Sequence, residues 1–415
     1  MIICVIGLGY VGLPLSLAFS KISKVIGYDS SSKRVQELNK SFDINGEFSA
    51  KDFNKTSNIK FTNIKSDIKD ANIYIVTVPT PVKKNKTPNL KPILNASKVI
   101  GKYLSINDIV IYESTVYPGC TEEECVPILE KNSGMTYNID FFCGYSPERI
   151  NPGDKKRKLE NIIKVTSGSN ISTAIKVDKL YKKIIKAGTH LAPSIKVAEA
   201  SKIIENVQRD VNISLMNELA IIFNKIGIDT SDVLKASSTK WNFLNFKPGL
   251  VGGHCIGVDP YYLAYKARKL NYTPNIILSG RKVNNKMGKH IANTINDILV
   301  NKNKKVENCN ALILGVTFKE NCSDLRNSRV FNLYKSLVKL KIKVDMFDPH
   351  AINEEVLKIY NLKLINEIKV KYDIIVLAVA HDAFLKMNLI KLKKTNGIIY
   401  DVKSVLDRKI ITTRL

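Results

Sequence analysis

The sequence predicts an α/β protein with two doubly wound parallel-sheet domains, joined by a long central helix and a helical middle domain. Three observations carry this. Short apolar runs alternate with helical patterns over the first half of the chain. The same alternation restarts after the polar break Asn301–Asn308. Between the two lies a stretch of three- and four-residue apolar steps with no Pro or Gly from Ile195 to Ile226. Strands alternating with helices imply parallel sheets.

The elements follow in order. Residues 2–7 read as a buried strand that opens into Gly7-x-Gly9-x-x-Gly12, and a helical pattern runs from Val11 to Lys21. Lys24–Tyr28 is a second strand closed by Asp29, and further apolar runs lie at Ile73–Val78, Ile109–Tyr112, Phe141–Cys143 and Ile162–Thr166. In the central stretch Val197, Ile203, Ile204, Val207, Val211, Leu215, Leu219 and Ile222 mark a helix of roughly 40 Å at ~1.5 Å per residue. Such a helix joins domains, forms a subunit interface, or does both. A Gly-rich loop, 247–260, and more helix to about Asn301 complete the middle. Ala311–Gly315, Lys343–Phe347, Asp373–Ala380 and Gly397–Asp401 are strands of the last domain, with a helix at Arg329–Lys339. The expected domains are 1–194, 195–301 and 302–415.

Composition narrows the class. With 415 residues, two or three domains can each bury a core. Mean hydropathy is −0.07, and no run reaches the ~18 uncharged apolar residues of a membrane span. The N-terminal strand leads straight into the glycine loop, unlike a cleavable signal peptide. Seven scattered cysteines without paired CxxC spacing point to reduced cytoplasmic thiols and to no metal site. The formal charge of +26 invites a nucleic-acid reading. However, the lysines are spread along the whole chain, and a basic surface also gathers anionic small molecules.

Gly7, Gly9 and Gly12 suit a dinucleotide loop: a tight turn, close backbone approach to pyrophosphate, and close helix–strand packing. Asp29 then falls where a carboxylate binds ribose hydroxyls, favouring NAD, although Lys33 and Arg34 nearby could accept a 2′-phosphate. Val78-Pro79-Thr80-Pro81, Glu113-Ser114-Thr115-Val116-Tyr117-Pro118-Gly119 and Ser146-Pro147-Glu148-Arg149 each follow an apolar strand, where ligand loops gather in such sheets. By themselves the first two have proline-stiffened turns as their alternative, and Glu148 reads at least as well as a surface carboxylate. Lys202 and Asn206 share a helix face, with Arg209 on the same side; a solvated stripe accounts for them as simply as a site does. Cys255 lies in Gly252-Gly253-His254-Cys255-Ile256-Gly257-Val258-Asp259-Pro260. It is either a nucleophile or a buried small residue. The glycines favour backbone passing close to a ligand. The loop Gly315–Ser328, charged and placed between a strand and a helix, suits a phosphate or a second nucleotide, and Phe347-Asp348-Pro349 ends the next strand as Asp29 does in the first domain.

Together, Gly7-Leu8-Gly9-Tyr10-Val11-Gly12-Leu13, the Ser114-Thr115 loop, Ser146-Pro147-Glu148, Lys202 with Asn206, the Cys255 loop, and Phe318-Lys319 through Arg326 resemble the UDP-glucose/GDP-mannose dehydrogenase family over the whole chain. The run from Phe246 through Tyr261-Tyr262-Leu263 resembles its bacterial branch acting on UDP-N-acetylhexosamines, whose uronic acids enter capsules and O-antigens. The resemblance implies two Rossmann-like domains and a four-electron oxidation of the sugar C6 alcohol to a carboxylate, with two NAD⁺ used in turn. Cys255 would carry the thiohemiacetal and thioester, and Lys202 would stabilise the developing alkoxide. Asn206 and Asp259 would hold Lys202 and a water; Glu148 would be the hydrolytic base, with Thr115 positioning water. The cofactor would meet Gly7, Gly9, Tyr10, Val11, Gly12, Asp29, Arg34, Pro79, Thr80, Ser114, Thr115 and Arg326. The UDP-sugar would meet Glu148, Arg149, Lys202, Asn206, Arg209, Phe243, Lys247, Gly249, Gly252, Arg281, Phe318 and Lys319. One departure bears on the base. A second glutamate frequent in UDP-glucose dehydrogenases is Pro152 here, leaving more of that role to Glu148. The same chemistry on UDP-glucose, UDP-N-acetylmannosamine or GDP-mannose remains open, as does a non-enzymatic protein that binds nucleotide-sugar or nucleic acid. A homodimer or larger homo-oligomer without nucleic acid or membrane is expected.

Overall fold

The apolar run at the N-terminus becomes the middle of a sheet because it is flanked on both sides. In the computed structural model β1 (Ile2–Ile6) pairs in parallel with β2 (Lys24–Tyr28) and β4 (Ile73–Val76), and Ile3, Cys4 and Val5 are fully buried. With β3 (Ile59–Thr62), β5 (Ile109–Tyr112), β6 (Phe142–Tyr145), β7 (Lys164–Gly168) and β8 (Thr189–Leu191) the order is β3-β2-β1-β4-β5-β6-β7-β8. All pairs are parallel except β6 with β7. The helices Gly12–Ser20 and Ile171–Lys182 share one core with this sheet, where Phe19 meets Tyr181 edge-on at 5.8 Å.

The structure describes every residue except Lys55, Ser57, Lys84, 151–156 and His254. Pro152 and His254 of the sequence motifs therefore lie outside the described residues. The chain packs as two units: Met1–Glu205 with Tyr261–Tyr272, and Asn206–Pro260 with Thr273–Leu415. The expected middle segment 195–301 is thus shared between them. In the second unit β9 (Asn310–Leu314), β10 (Lys343–Phe347), β11 (Tyr372–Leu377), β12 (Lys393–Asp401) and β13 (Thr413–Arg414) form a wholly parallel sheet in the order β10-β9-β11-β12-β13. The helix Asn275–Asn301 buries Met287, Ile291, Ile295 and Leu299 in the core that also holds Leu333, Leu337 and Val376. Among the described residues no helix is long and apolar enough to cross a membrane.

The central helix spans Ile195–Ile226, the bounds the apolar steps predict. Its apolar residues do not all face inward. Val197, Ile204, Leu215 and Ile222 are exposed, Ile204 by 55%. At ~100° per residue these four share one side of the helix. The opposite side carries Glu199, Lys202, Asn206, Asp210 and Asn217, all buried. Ile203 and Val207 are the apolar residues of the periodic set that are buried. Burial of so many polar groups requires partners. Glu199 accepts from the N–H groups of Gly119 and Thr121 and from Thr121 Oγ1. Asp210 receives Arg281 at 2.6 Å and Asn284 at 2.7 Å. The Asn217 amide pairs with both the N–H and the carbonyl of Gly249.

Both sheets end their second strand on an aspartate that ties down the loop after the first. Asp29 Oδ2 accepts from Leu8 N–H at 2.8 Å and Oδ1 from Ser31 N–H at 2.9 Å. Asp348 Oδ2 takes the N–H groups of Val316 and Thr317 and His381 Nε2, and Oδ1 those of His350 and Ala351. Asn321 N–H donates to His381 Nδ1 at 2.9 Å, which leaves Nε2 to donate to Asp348. Burial pushes the Asp348 carboxyl up, but His381 and these N–H groups outweigh it and hold it below the usual carboxylate range. A carboxyl held low stabilises the fold above its unfolded pKa and loses that contribution as pH falls through its folded pKa. Asp348→Asn is therefore expected to destabilise the protein by about 3 kcal/mol at neutral pH. In melts across pH the deficit should shrink under acid.

Candidate active site

The first unit gathers loops at the C-terminal ends of β1, β4, β5 and β6. Gly7 has φ +97°, a conformation that side chains disfavour, and a Cβ on Gly12 would collide with Gly7 O and Thr77 Oγ1. Gly9 is different: it is exposed, with nothing within 4 Å of where a Cβ would be. No side chain caps the helix that starts at Gly12. An open glycine and an uncapped helix N-terminus fit a pyrophosphate, so the loop can hold NAD. The carboxylate of Asp29, half-buried, lies beside this loop. Arg34 is committed elsewhere: Nε donates to Leu8 O at 2.9 Å and Nη2 pairs with buried Asp43 at 2.8 Å.

The neighbouring loops brace one another. Thr77 Oγ1 donates to Gly7 O, Ser114 Oγ to Val78 O, Thr80 Oγ1 to Thr115 O and Tyr145 OH to Ser114 O. Ser114 is buried, Thr115 and Thr80 are half-buried, and Pro79, which precedes Thr80, is exposed; Tyr10 and Val11 are half-buried at the start of the helix. Tyr262, from the returning segment Tyr261–Tyr272, donates to Thr80 O at 2.9 Å.

Glu148 is not a surface carboxylate. It is 8% exposed, and its Oε1 accepts from Arg149 N–H and Ile150 N–H at 2.6 and 2.5 Å. Its Oε2 accepts from Lys164 Nζ at 3.1 Å. Burial raises its pKa, but the Lys164 ammonium, the Ile150 N–H and the Lys202 charge outweigh burial and hold it below the usual range. Lys202 therefore acts on Glu148 electrostatically within this unit. Arg149 pairs with Glu205 through Nη2.

In the second unit Asn206 Nδ2 donates to Asp259 Oδ2 at 2.6 Å, and both residues are buried. Lys202, one helical turn before Asn206, is 8% exposed, so the pair is no solvated stripe. Cys255 is half-buried in the turn leading to the helix Asp259–Lys269; its carbonyl accepts from Val258 N–H and Asp259 N–H. Gly253, with φ +84°, would place a Cβ 2.9 Å from the Phe318 ring, and Asn327 Nδ2 donates to Gly253 O. A Cβ on Gly252 would lie 2.6 Å from Asn327 O. The loop carrying Phe318 thus fixes the loop carrying Cys255.

The other expected contacts separate. Lys319 Nζ lies 5.5 Å above the Phe318 ring. Arg326 is exposed and pairs with Asp324 at 2.6 Å. Arg281 is buried between Asp210 and Asn285. Gly249 is pinned by Asn217, Phe243 is half-buried, and Lys247 and Arg209 are exposed. The sequence reading missed Glu113, Lys164, Tyr181, Glu199, Asp210 and Asn217. For Glu199, Asp210 and Asn217 the signal was present: with Lys202 and Asn206 they follow three-, four- and seven-residue helical spacings.

Comparison with known proteins matches all three parts of one family. Residues 1–185 match the NAD binding domain of the UDP-glucose/GDP-mannose dehydrogenase family, 196–286 its central domain and 312–408 its UDP binding domain. The chain belongs to this family and is an NAD-dependent nucleotide-sugar dehydrogenase. It is 51% identical to the UDP-N-acetyl-D-glucosamine 6-dehydrogenase of Salmonella typhi, covering 100% of this chain and 98% of the relative. It is also 51% identical to the Pseudomonas aeruginosa protein of the same name, covering 98% and 97%. The structure of a UDP-D-ManNAc dehydrogenase from Pyrococcus horikoshii superimposes with a TM-score of 0.88 at 27% identity, covering 100% and 98%.

Gly12→Ala should lower Tm and weaken NADH binding at least tenfold, about 1.4 kcal/mol. Gly9→Ala, with open space at its Cβ, should weaken binding while leaving Tm unchanged. Thermal melts and fluorescence titration of NADH check both.

Proposed function

We propose that the enzyme oxidises C6 of UDP-N-acetylglucosamine, or a closely related UDP-N-acetylhexosamine, to the uronic acid for capsule or O-antigen synthesis in the cytoplasm. The observation that carries the substrate reading is 51% identity over the whole chain to two relatives named for this activity, against 31% for a UDP-N-acetyl-D-mannosamine dehydrogenase of Methanococcus vannielii.

The residues support a thioester route. The Gly7–Gly12 loop would hold NAD⁺, which would supply the hydride acceptor for each of the two oxidations. Loss of the first hydride from C6, with the hydroxyl proton passing to solvent, leaves an aldehyde. Cys255 Sγ adds to the aldehyde carbon, forming a C–S bond, and Lys202 neutralises charge on its oxygen. Loss of the second hydride converts this thiohemiacetal to a thioester. Water, deprotonated by Glu148 and positioned with the help of Thr115, attacks the carbonyl and expels the Cys255 thiolate. The hydrogen bond from Asn206 to Asp259 supports their part in organising Lys202 and water.

The exposed apolar side of the central helix supports a homodimer. Four large aliphatic residues on one side of a 32-residue helix form a stripe long enough to pair with its copy.

With UDP-N-acetylglucosamine, two NADH should form per uronate released; one NADH with aldehyde as product would remove the thioester route. Cys255→Ser should form no uronate at a measurable rate. Glu148→Gln should release two NADH per site rapidly and then slow by about 10²-fold or more, holding the thioester. Ile204→Glu with Leu215→Glu should shift the mass measured by light scattering to that of a monomer.

A further inference from the structure

Behind Glu148 lies a buried group of ionisable side chains that the route above does not use. Lys164 Nζ sits between two carboxylates, 2.6 Å from Glu113 Oε2 and 3.1 Å from Glu148 Oε2. Tyr181 OH donates to Glu113 Oε1, and the Lys164 ammonium lies 5.4 Å from the Tyr181 ring centre. Glu113, Lys164 and Tyr181 are at most 3% exposed. They come from three places: the end of β5, the start of β7, and the helix Ile171–Lys182. A structural ion pair needs one carboxylate. Here one ammonium serves two, leaving the buried group with a net negative charge and room for one proton.

We propose that Glu113 stores the proton that Glu148 takes from the attacking water, with Lys164 as the bridge between them. This rests on the reading of Glu148 as the hydrolytic base. As the water oxygen bonds to the thioester carbon and the C–S pair leaves on Cys255, one water proton goes to Glu148 Oε2. Lys164 passes a proton from Nζ to Glu113 Oε2 and takes up the one on Glu148, so its own charge is unchanged. Glu148 is again ionised, and the buried group is now neutral overall. The second water proton leaves with the carboxylic acid product. The stored proton returns over the same bridge to the Cys255 thiolate, which resets the site. No other reactant is needed.

The electrostatics agree with this direction of transfer. Burial raises Glu113 to about 7 despite Lys164, with the neighbouring Glu148 charge adding to the rise and Tyr181 opposing it. Glu148 is held low, as described, with Lys202 contributing. Burial lowers Lys164, but Glu113 and Glu148 outweigh it and keep it charged. Two carboxyls whose surroundings separate their proton affinities divide the roles of abstracting and holding a proton. Because Glu113 must be ionised to receive the proton, kcat should rise with pH through the Glu113 ionisation and fall below it.

The test compares full-length variants under rapid mixing with UDP-N-acetylglucosamine and NAD⁺. Glu113→Gln, similar in size and still able to accept from Tyr181, should keep the fast release of two NADH per site. Its steady-state rate should fall about tenfold or more, and the rising limb of kcat against pH should vanish. Lys164→Met should behave alike, and Lys164→Arg should recover part of the rate. If Glu148→Gln holds the thioester while Glu113→Gln keeps the wild-type rate and pH profile, the store is overturned and the base assignment stands. If Glu113→Gln loses the fast phase and the steady state in equal proportion, Glu113 is structural and the store is overturned. If Glu148→Gln turns over normally, the base assignment fails and the store with it.

Discussion

The central helix buries a row of polar side chains on the side opposite four exposed aliphatic ones, and much of the molecule follows from that row. Glu199, Lys202, Asn206, Asp210 and Asn217 cannot be buried singly; each needs a partner, and the partners come from loops and from the helices Asp259–Lys269 and Asn275–Asn301. Glu199 fixes the turn at Gly119–Thr121, Asn206 fixes Asp259, Asp210 gathers Arg281 and Asn284, and Asn217 holds Gly249. A helix thus does for these loops what a strand does in a sheet: it supplies a row of hydrogen-bonding groups at fixed spacing. Chemistry on a nucleotide sugar needs charged groups in a shielded place. This arrangement supplies them without exposing them to water.

Gly7–Gly12, Asp29 and the parallel order of the sheets were legible in the sequence because backbone conformation and strand periodicity are local properties. The bounds of the helix Ile195–Ile226 were legible too, since apolar steps record helical repeat whichever way the helix faces. Its facing was not legible. Periodicity says that Val197, Ile204, Leu215 and Ile222 share a side, but not that the side is exposed. Glu148 was misjudged when taken alone for a related reason. A lone carboxylate in a loop carries no sign of the lysine that joins it, and Lys164 lies sixteen residues away on another strand. Short strands such as β3, β8 and β13 escaped because runs of two to four residues do not exceed the background of an isoleucine-rich chain.

Asp29 and Asp348 occupy equivalent places in two sheets, yet their capacities differ. Asp348 receives four backbone N–H groups and His381, so its carboxylate is filled by the protein. Asp29 receives two N–H groups and is half-buried. One scaffold device therefore serves as a structural lock in one unit and leaves oxygen lone pairs available in the other. That difference fits an NAD binding domain at the N-terminus and a distinct nucleotide specificity in the C-terminal domain.

The chain leaves its first unit at Glu205 and comes back to it for Tyr261–Tyr272. Tyr262, fully buried there, donates to Thr80 O, and Lys266 pairs with Glu123 at 2.6 Å. A ribosome must therefore have released some 270 residues before the N-terminal unit can complete its own packing, so that unit waits, unfinished, while the first part of the second is made. Its fragments are not severable modules. An excised N-terminal piece would carry an open groove where Tyr262 belongs, and transplanting the cofactor-binding half into another enzyme would require taking the returning segment with it.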